Sequence, residues 1–121
     1  MDYKKNTLLK DRINDSTRIL KKYPNHVPII VECCEDINKV LKRRKFLVPG
    51  ELFVSHLLYS IRKQITDENS SKAIFIFSDK ILLCSTHLLS VVYNEYKIRN
   101  KINDSCDNFM YIYLQYENTF G

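Results

Sequence analysis

The sequence predicts an α+β fold in which four strands curl around one principal helix, and three observations carry that expectation. After Gly50, "ELFVSHLLYSIRKQI" at 51–65 places Leu52, Val54, Leu57, Leu58, Ile61 and Ile65 at intervals of three and four, the mark of an amphipathic helix packed on a sheet. Four other runs, "HVPIIVEC", "KFLVP", "KAIFIFS" and "NFMYIYLQY", are rich in β-branched and aromatic residues. The 121 residues, 45% hydrophobic and 27% charged, suit a single domain with its own core.

In chain order, "YKKNTLL" offers one or two helical turns. "DRINDSTRILKK" at 11–22 then sets Ile13, Thr17 and Leu20 near one helical face. The helix stops at "YP", because proline restricts Tyr23 to extended conformations. "HVPIIVEC" is a strand whose Pro28 belongs at a start or an edge. Glu35 to Lys45 reads as a polar loop with a short helical turn, and "KFLVP" pairs with the first strand as a hairpin that ends at Pro49. "KAIFIFS" reads as a central strand, "HLLSVVYNEYK" as a short helix and "NFMYIYLQY" as the last strand. The polar stretch 97–107, "KIRNKINDSCD", has the composition of a mobile loop, and "ENTFG" is expected to form an exposed, flexible tail.

Composition narrows the function classes. No run of eighteen apolar residues and no N-terminal apolar core suitable for a signal peptide occur, so the expected compartment is the cytosol. Cys33, Cys34, Cys84 and Cys106 lack C-x-x-C spacing and are expected to be reduced thiols. The net charge of +5 is uneven. Residues 1–63 carry 14 basic against 7 acidic side chains, and residues 64–121 carry 5 against 7. Such a basic front half suits nucleic acid, anionic lipid or an acidic peptide, or a merely solvated surface. Only two glycines occur, Gly50 and Gly121, where average usage would give roughly eight. A glycine at position 121 makes no turn. It fits chance, a trimmed chain, or a carboxylate that must pass through a channel too narrow for a side chain.

The element order is that of the ubiquitin-like β-grasp with two helices added in front, and local strings go further. "KKYPNHVPIIVE" at 21–32, "KFLVP" at 45–49, "IRK" at 61–63, "AIFIF" at 73–77 and an aromatic followed by glycine at the end resemble the autophagy-related ubiquitin-like modifiers, the family of GABARAP. The resemblance runs from about Asp11 to Gly121. It implies one domain: a helical extension over 1–22, a β-grasp core over 23–116 with a four-stranded mixed sheet, and a conjugation tail over 117–121.

By the same resemblance, Gly121 is the residue that E1-like, E2-like and E3-like enzymes join to phosphatidylethanolamine, and a cysteine protease reverses the step. The chain would then sit on autophagosomal or related membranes when conjugated, and otherwise in the cytoplasm as a monomer. It would recruit receptors and adaptors that carry an aromatic-x-x-aliphatic motif by strand addition along Lys45, Phe46 and Leu47. The aromatic pocket is implied at Asp15, Ile19, Pro28, Lys45, Leu47 and Phe109. The aliphatic pocket is implied at Phe46, Val48, Pro49, Leu52 and Leu57. Lys21, Lys22, Arg43, Arg44 and Lys45 would favour acidic or phosphorylated flanks, although each also reads as a plain solvated charge. Arg62 matches a conjugation-enzyme contact, or is an exposed helical arginine. Phe75 and Phe77 match a second partner surface, with Ile74 and Ile76 turned to the core.

Three departures from the family pattern stand out. Nothing follows Gly121, the 97–107 stretch is longer and more basic, and Ser60 replaces an aliphatic residue while "KILLCS" lacks paired prolines. His26, where relatives often have arginine, would make its edge pH-dependent if exposed.

Other classes fit less well. Cys84 and His87 form a lone C-x-x-H with no orienting group, and no phosphate loop, metal cluster or cofactor loop is present, so neither catalysis nor a cofactor is expected. The eight tyrosines and basic front half suggest nucleic acid, but no RNP-like or helix-turn-helix string accompanies them. A ubiquitin-like peptide-binding module that is never conjugated is the remaining alternative.

Overall fold

The computed structural model describes residues 2–117. The chain runs α1 (Tyr3–Asn6), α2 (Leu9–Lys22), β1 (His26–Cys33), α3 (Glu35–Asn38), β2 (Lys45–Pro49), α4 (Val54–Arg62), β3 (Ile74–Ser78), β4 (Ile81–Leu82), α5 (Leu89–Arg99) and β5 (Met110–Tyr116). The strands form one mixed sheet in the order β2-β1-β5-β3-β4. β1 and β2 pair antiparallel as a hairpin, β1 and β5 pair parallel, and β5 and β3 pair antiparallel.

Two expectations about the sheet need correction. It has five strands, because Asp79 and Lys80 adopt φ of 49° and 67° and turn the chain so that Ile81 and Leu82 pair with Ser78 and Phe77. Paired positive φ values are the signature of a primed two-residue hairpin turn, which sequences normally announce with Asn-Gly. Neither residue is glycine here. The central strand is β5, with β3 beside it.

The concave face carries the core. Ile29 and Val31 of β1, Ile112 and Leu114 of β5, and Ile74 and Ile76 of β3 meet Leu57 and Ile61 of α4 and Leu89 and Val92 of α5. The α4 helix begins later than the periodicity suggests. Leu52 O accepts Leu89 N–H, Phe53 bridges to Leu88, and His56 Nδ1 accepts Phe53 N–H at 3.0 Å, which holds residue 53 extended ahead of the helix. Lys63 and Gln64 continue as turns.

On the opposite face lies α2, and there the buried residue is Ser16, fully enclosed, while Thr17 is exposed. A small side chain lets the helix approach the sheet closely. Ser16 Oγ accepts Asn108 N–H at 2.9 Å and donates to Ile13 O at 3.2 Å, pinning the start of β5 beneath the helix.

The 97–107 stretch is not a featureless loop. Its first three residues complete α5, which ends in a Schellman closure: Ile102 N–H donates to Lys97 O and Lys101 N–H to Ile98 O, with Lys101 at φ 50°. Asp107 at its other end is buried. At the chain's C-terminal side, Glu117 N–H donates to Ala73 O, so the pairing of β5 with the β3 edge extends to that residue. Asn118 to Gly121, including the residue expected to be conjugated and most of the expected tail, lie outside the described residues.

Gly50 is needed for close approach. A Cβ there would meet Ser90 Cβ at 3.0 Å and Asn25 O at 3.1 Å, where Gly50 ties the β1–β2 end to α5 through Gly50 N–H to Asn25 O and Ser90 N–H to Gly50 O. Two substitutions should therefore shift the urea midpoint in opposite directions at unchanged m-value. Gly50→Ala is expected to destabilise by about 1–3 kcal/mol through overpacking. Lys101→Gly is expected to stabilise by about 1 kcal/mol by relieving the left-handed residue at the helix end.

Candidate functional site: an edge strand between two helices

The site is built on β2, which stands at the edge of the sheet with β1 on its inner side. Lys45 lies opposite Ile30 and Leu47 opposite Pro28. Pro28 has no N–H to donate, and Val31 N–H is the group that reaches across to Arg44 O. By the alternation of an antiparallel ladder, the backbones of Lys45 and Leu47 turn outward, whereas that of Phe46 turns inward to Ile29. Of the three residues expected to accept a strand, two therefore offer their main-chain groups.

Side chains alternate as well. Lys45 and Leu47 project to the face covered by α2, and Phe46 and Val48 project to the face covered by α4.

On the α2 side, Lys45 Nζ stands 3.2 Å from Asp15 Oδ2 and 5.2 Å from the ring centroid of Phe109, with Pro28 beside Leu47 and Ile19 half-buried. Arg18 donates to Asp15 Oδ1 at 2.6 Å. The hydrogen bond from Lys45, reinforced by charge from Lys45 and Arg18, holds the Asp15 carboxyl below the usual carboxylate range. Of the residues expected to form the aromatic pocket, Lys45 thus meets Asp15 and Phe109 directly. Phe109 is only 1% exposed. The ring of Tyr3, from α1, meets it edge-on at 5.6 Å, and Lys45 Nζ stands 5.2 Å from the Tyr3 centroid too.

On the α4 side, Val48 and Leu52 are half-buried and pack against the core. Phe46 and Leu57 are 2% and 1% exposed and belong to the core itself, so they can only floor a pocket. Pro49 closes the strand, its carbonyl accepting Leu52 N–H. Ser60 donates to His56 O within α4.

The basic cluster is smaller than its sequence spacing suggests. Arg44 turns away, with Nη2 donating to Asn38 O and Leu41 O and Nη1 to Cys33 Sγ, so it braces the α3–β2 connection. Burial raises the Cys33 thiol above its ordinary range, opposed by Arg44. Arg43 lies over the Phe46 ring at 4.4 Å, and Lys21 and Lys22 are exposed. Arg62 donates to Ser70 O at 3.3 Å and Lys72 O at 2.8 Å, so its guanidinium organises the loop before β3.

Phe75 and Phe77 are half-exposed on the face opposite Ile74 and Ile76, as alternation requires. Phe77 lines a cavity of about 580 Å³ with Tyr111, Tyr113, Glu32, Lys4 and Lys80. His26 is half-buried; its Nδ1 lacks a hydrogen-bond partner, and its ring packs on Tyr23. Cys84 and His87 are exposed and joined by a turn, His87 N–H to Cys84 O. Among the described residues, no group of three or more His, Cys, Asp or Glu could hold a metal ion, and no helix is long and apolar enough to cross a membrane.

One arrangement had no signal in the sequence. Arg12 Nε donates to Asp107 Oδ2 at 2.8 Å, the same oxygen accepts Tyr111 O–H at 2.8 Å, and Asp107 Oδ1 accepts Phe109 N–H at 3.0 Å. Arg12 Nη1 also donates to Thr7 O and Lys4 O, which ties α1 to the base of β5. Burial first, then the bond to Asp107, pushes the Tyr111 phenol well above its ordinary range.

A mixed sheet wrapped on a principal helix, two leading helices and an open edge strand together define a ubiquitin-like protein with an N-terminal extension. The family model described as "Autophagy protein Atg8 ubiquitin like" matches residues 11–121. Autophagy-related protein 8 of Schizosaccharomyces pombe is 39% identical over 98% of this chain and 93% of its own length. Autophagy-related protein 8d of Arabidopsis thaliana is 38% identical over 93% and 88%. The crystal structure of Trypanosoma brucei ATG8 superposes with a TM-score of 0.74 at 27% identity, covering 97% of this chain and 95% of that one. The chain belongs to the Atg8 family of ubiquitin-like autophagy proteins.

Replacing Asp107 by Asn should destabilise the protein by about 3 kcal/mol in urea unfolding, because it removes the charge that compensates the largely buried Arg12.

Proposed function

We propose that this chain is an autophagy modifier, conjugated through Gly121 to phosphatidylethanolamine, that recruits receptors and adaptors bearing an aromatic-x-x-aliphatic motif. One observation carries the docking half of this reading: β2 is an edge strand whose side chains alternate between the α2 face and the α4 face. In an added strand, residues i and i+3 point to opposite faces, because side chains alternate with period two. A motif with two intervening residues therefore puts its aromatic against the α2 side and its aliphatic against the α4 side. Backbone bonds from Lys45 and Leu47 supply the register.

Each inserted side chain is worth roughly 1.5–3 kcal/mol before ordering costs, which suits reversible, micromolar binding. The reading makes Lys21, Lys22 and Arg43 a source of on-rate for acidic flanks. Family membership supports the conjugation half. The chemistry is an amide between the Gly121 carboxylate and the lipid amine, made by E1-like, E2-like and E3-like enzymes and reversed by a cysteine protease. The two acyl chains of that lipid anchor a protein durably where one would be marginal. Arg62, Phe75 and Phe77 are proposed as contacts for enzymes and further partners.

Reconstitution with E1-like and E2-like enzymes, ATP and phosphatidylethanolamine liposomes should add a lipid-sized mass to the chain and none to Gly121→Ala. The same protein should bind an aromatic-x-x-aliphatic peptide, and Leu47→Ala should weaken that binding about tenfold, the equivalent of roughly 1.4 kcal/mol. Peptide binding without a mass gain would leave a docking module that is never conjugated.

A further inference from the structure

We infer that Tyr3 is an intramolecular occupant of the aromatic pocket, so that a peptide aromatic enters only when α1 withdraws; this rests on the docking reading of β2 given above. Phe109 is a floor residue that a peptide aromatic would have to touch, yet it is 1% exposed. Something already covers it. The Tyr3 ring stands edge-on to Phe109 with centroids 5.6 Å apart and planes at 80°, a favoured aromatic geometry. Lys45 Nζ lies 5.2 Å from both centroids and 3.2 Å from Asp15 Oδ2, so one ammonium closes over the two rings and the carboxylate together. Tyr3 therefore makes the contacts an incoming aromatic would make, with Phe109 and with Lys45.

The segment that carries Tyr3 is built to be displaced. The α1 helix has four residues, too few to be stable alone, and none of them is fully buried. It is held by Asp2, whose carboxylate accepts Lys4 and Lys5 N–H, by Lys4 Nζ over the Tyr111 ring at 4.3 Å, and by Arg12 Nη1 on the Lys4 and Thr7 carbonyls. None of these contacts involves β2 backbone. Asn6, three residues after Tyr3, is polar, so this segment cannot fill the second pocket as well. A motif peptide gains strand pairing and two pockets where Tyr3 gains part of one. The two compete, and the peptide wins at a reduced apparent affinity.

The test compares peptide binding by calorimetry for the wild type, Tyr3→Ala and Tyr3→Phe in the full chain. If the occupied state holds most of the population, emptying the pocket should tighten binding roughly threefold to tenfold, the reciprocal of the competent fraction. Tyr3→Phe keeps the ring and should bind as the wild type does. Tyr3→Ala binding no tighter than the wild type would overturn the inference while leaving the docking reading intact. Binding by neither protein would sink the docking reading and the inference with it. Should Tyr3→Ala fold poorly, NMR of the wild type decides. Nuclear Overhauser contacts between the Tyr3 and Phe109 rings should vanish at peptide saturation, and their persistence would refute displacement.

Discussion

The parallel pairing of β1 with β5 is the constraint on which the rest of the molecule depends. It sets Ile30 beside Tyr111 and Val31 beside Ile112, and so joins the N-terminal hairpin to the C-terminal strands in a single sheet. Parallel neighbours cannot be linked by a tight turn, so the chain between residues 33 and 110 must include a crossover over one face. Both α4 and α5 lie in that crossover and bury the concave side. The opposite face is left to α2, and the edge is left to β2.

From that pairing the proposed docking groove follows. Asp15 belongs to α2, Lys45 and Leu47 to β2, and Phe109 enters β5, yet they share one corner because β1 lies between β2 and β5. The corner is locked by polar bonds rather than by further apolar burial. Ser16 holds Asn108, and Arg12 with Tyr111 holds Asp107, so the two residues that lead into Phe109 are fixed. A charge buried this deeply is stabilising only while its partner remains. The same arginine reaches out to α1, which couples the N-terminal segment to the pocket floor through one side chain.

Much of this groove was legible in the one-dimensional pattern. "KFLVP" announced a short strand with an end set by Pro49, the preceding strand announced its partner, and the alternation of "IFIF" separated a core face from an outer one. Other features were hidden for physical reasons. β4 turns on Asp79 and Lys80 in the left-handed region without the glycine that marks such turns. Ser16 replaces the expected Thr17 at the helix–sheet contact because close approach, not hydrophobicity, governs that position. Arg44 looked like part of a basic surface, but its hydrogen bonds go inward to carbonyls.

By itself the sequence determined most of the segments and the two faces of the longer strands, because hydrophobic period and proline placement are local properties. Tertiary structure alone decided which residues meet. Arg12 and Asp107 are 95 positions apart, and Tyr3 reaches Phe109 only once α2 has laid α1 across the start of β5. Such pairings leave no periodic trace, since each side chain taken alone is indistinguishable from a solvated charge or an ordinary aromatic. Their meaning arises only when the sheet order puts them within a few ångströms of each other.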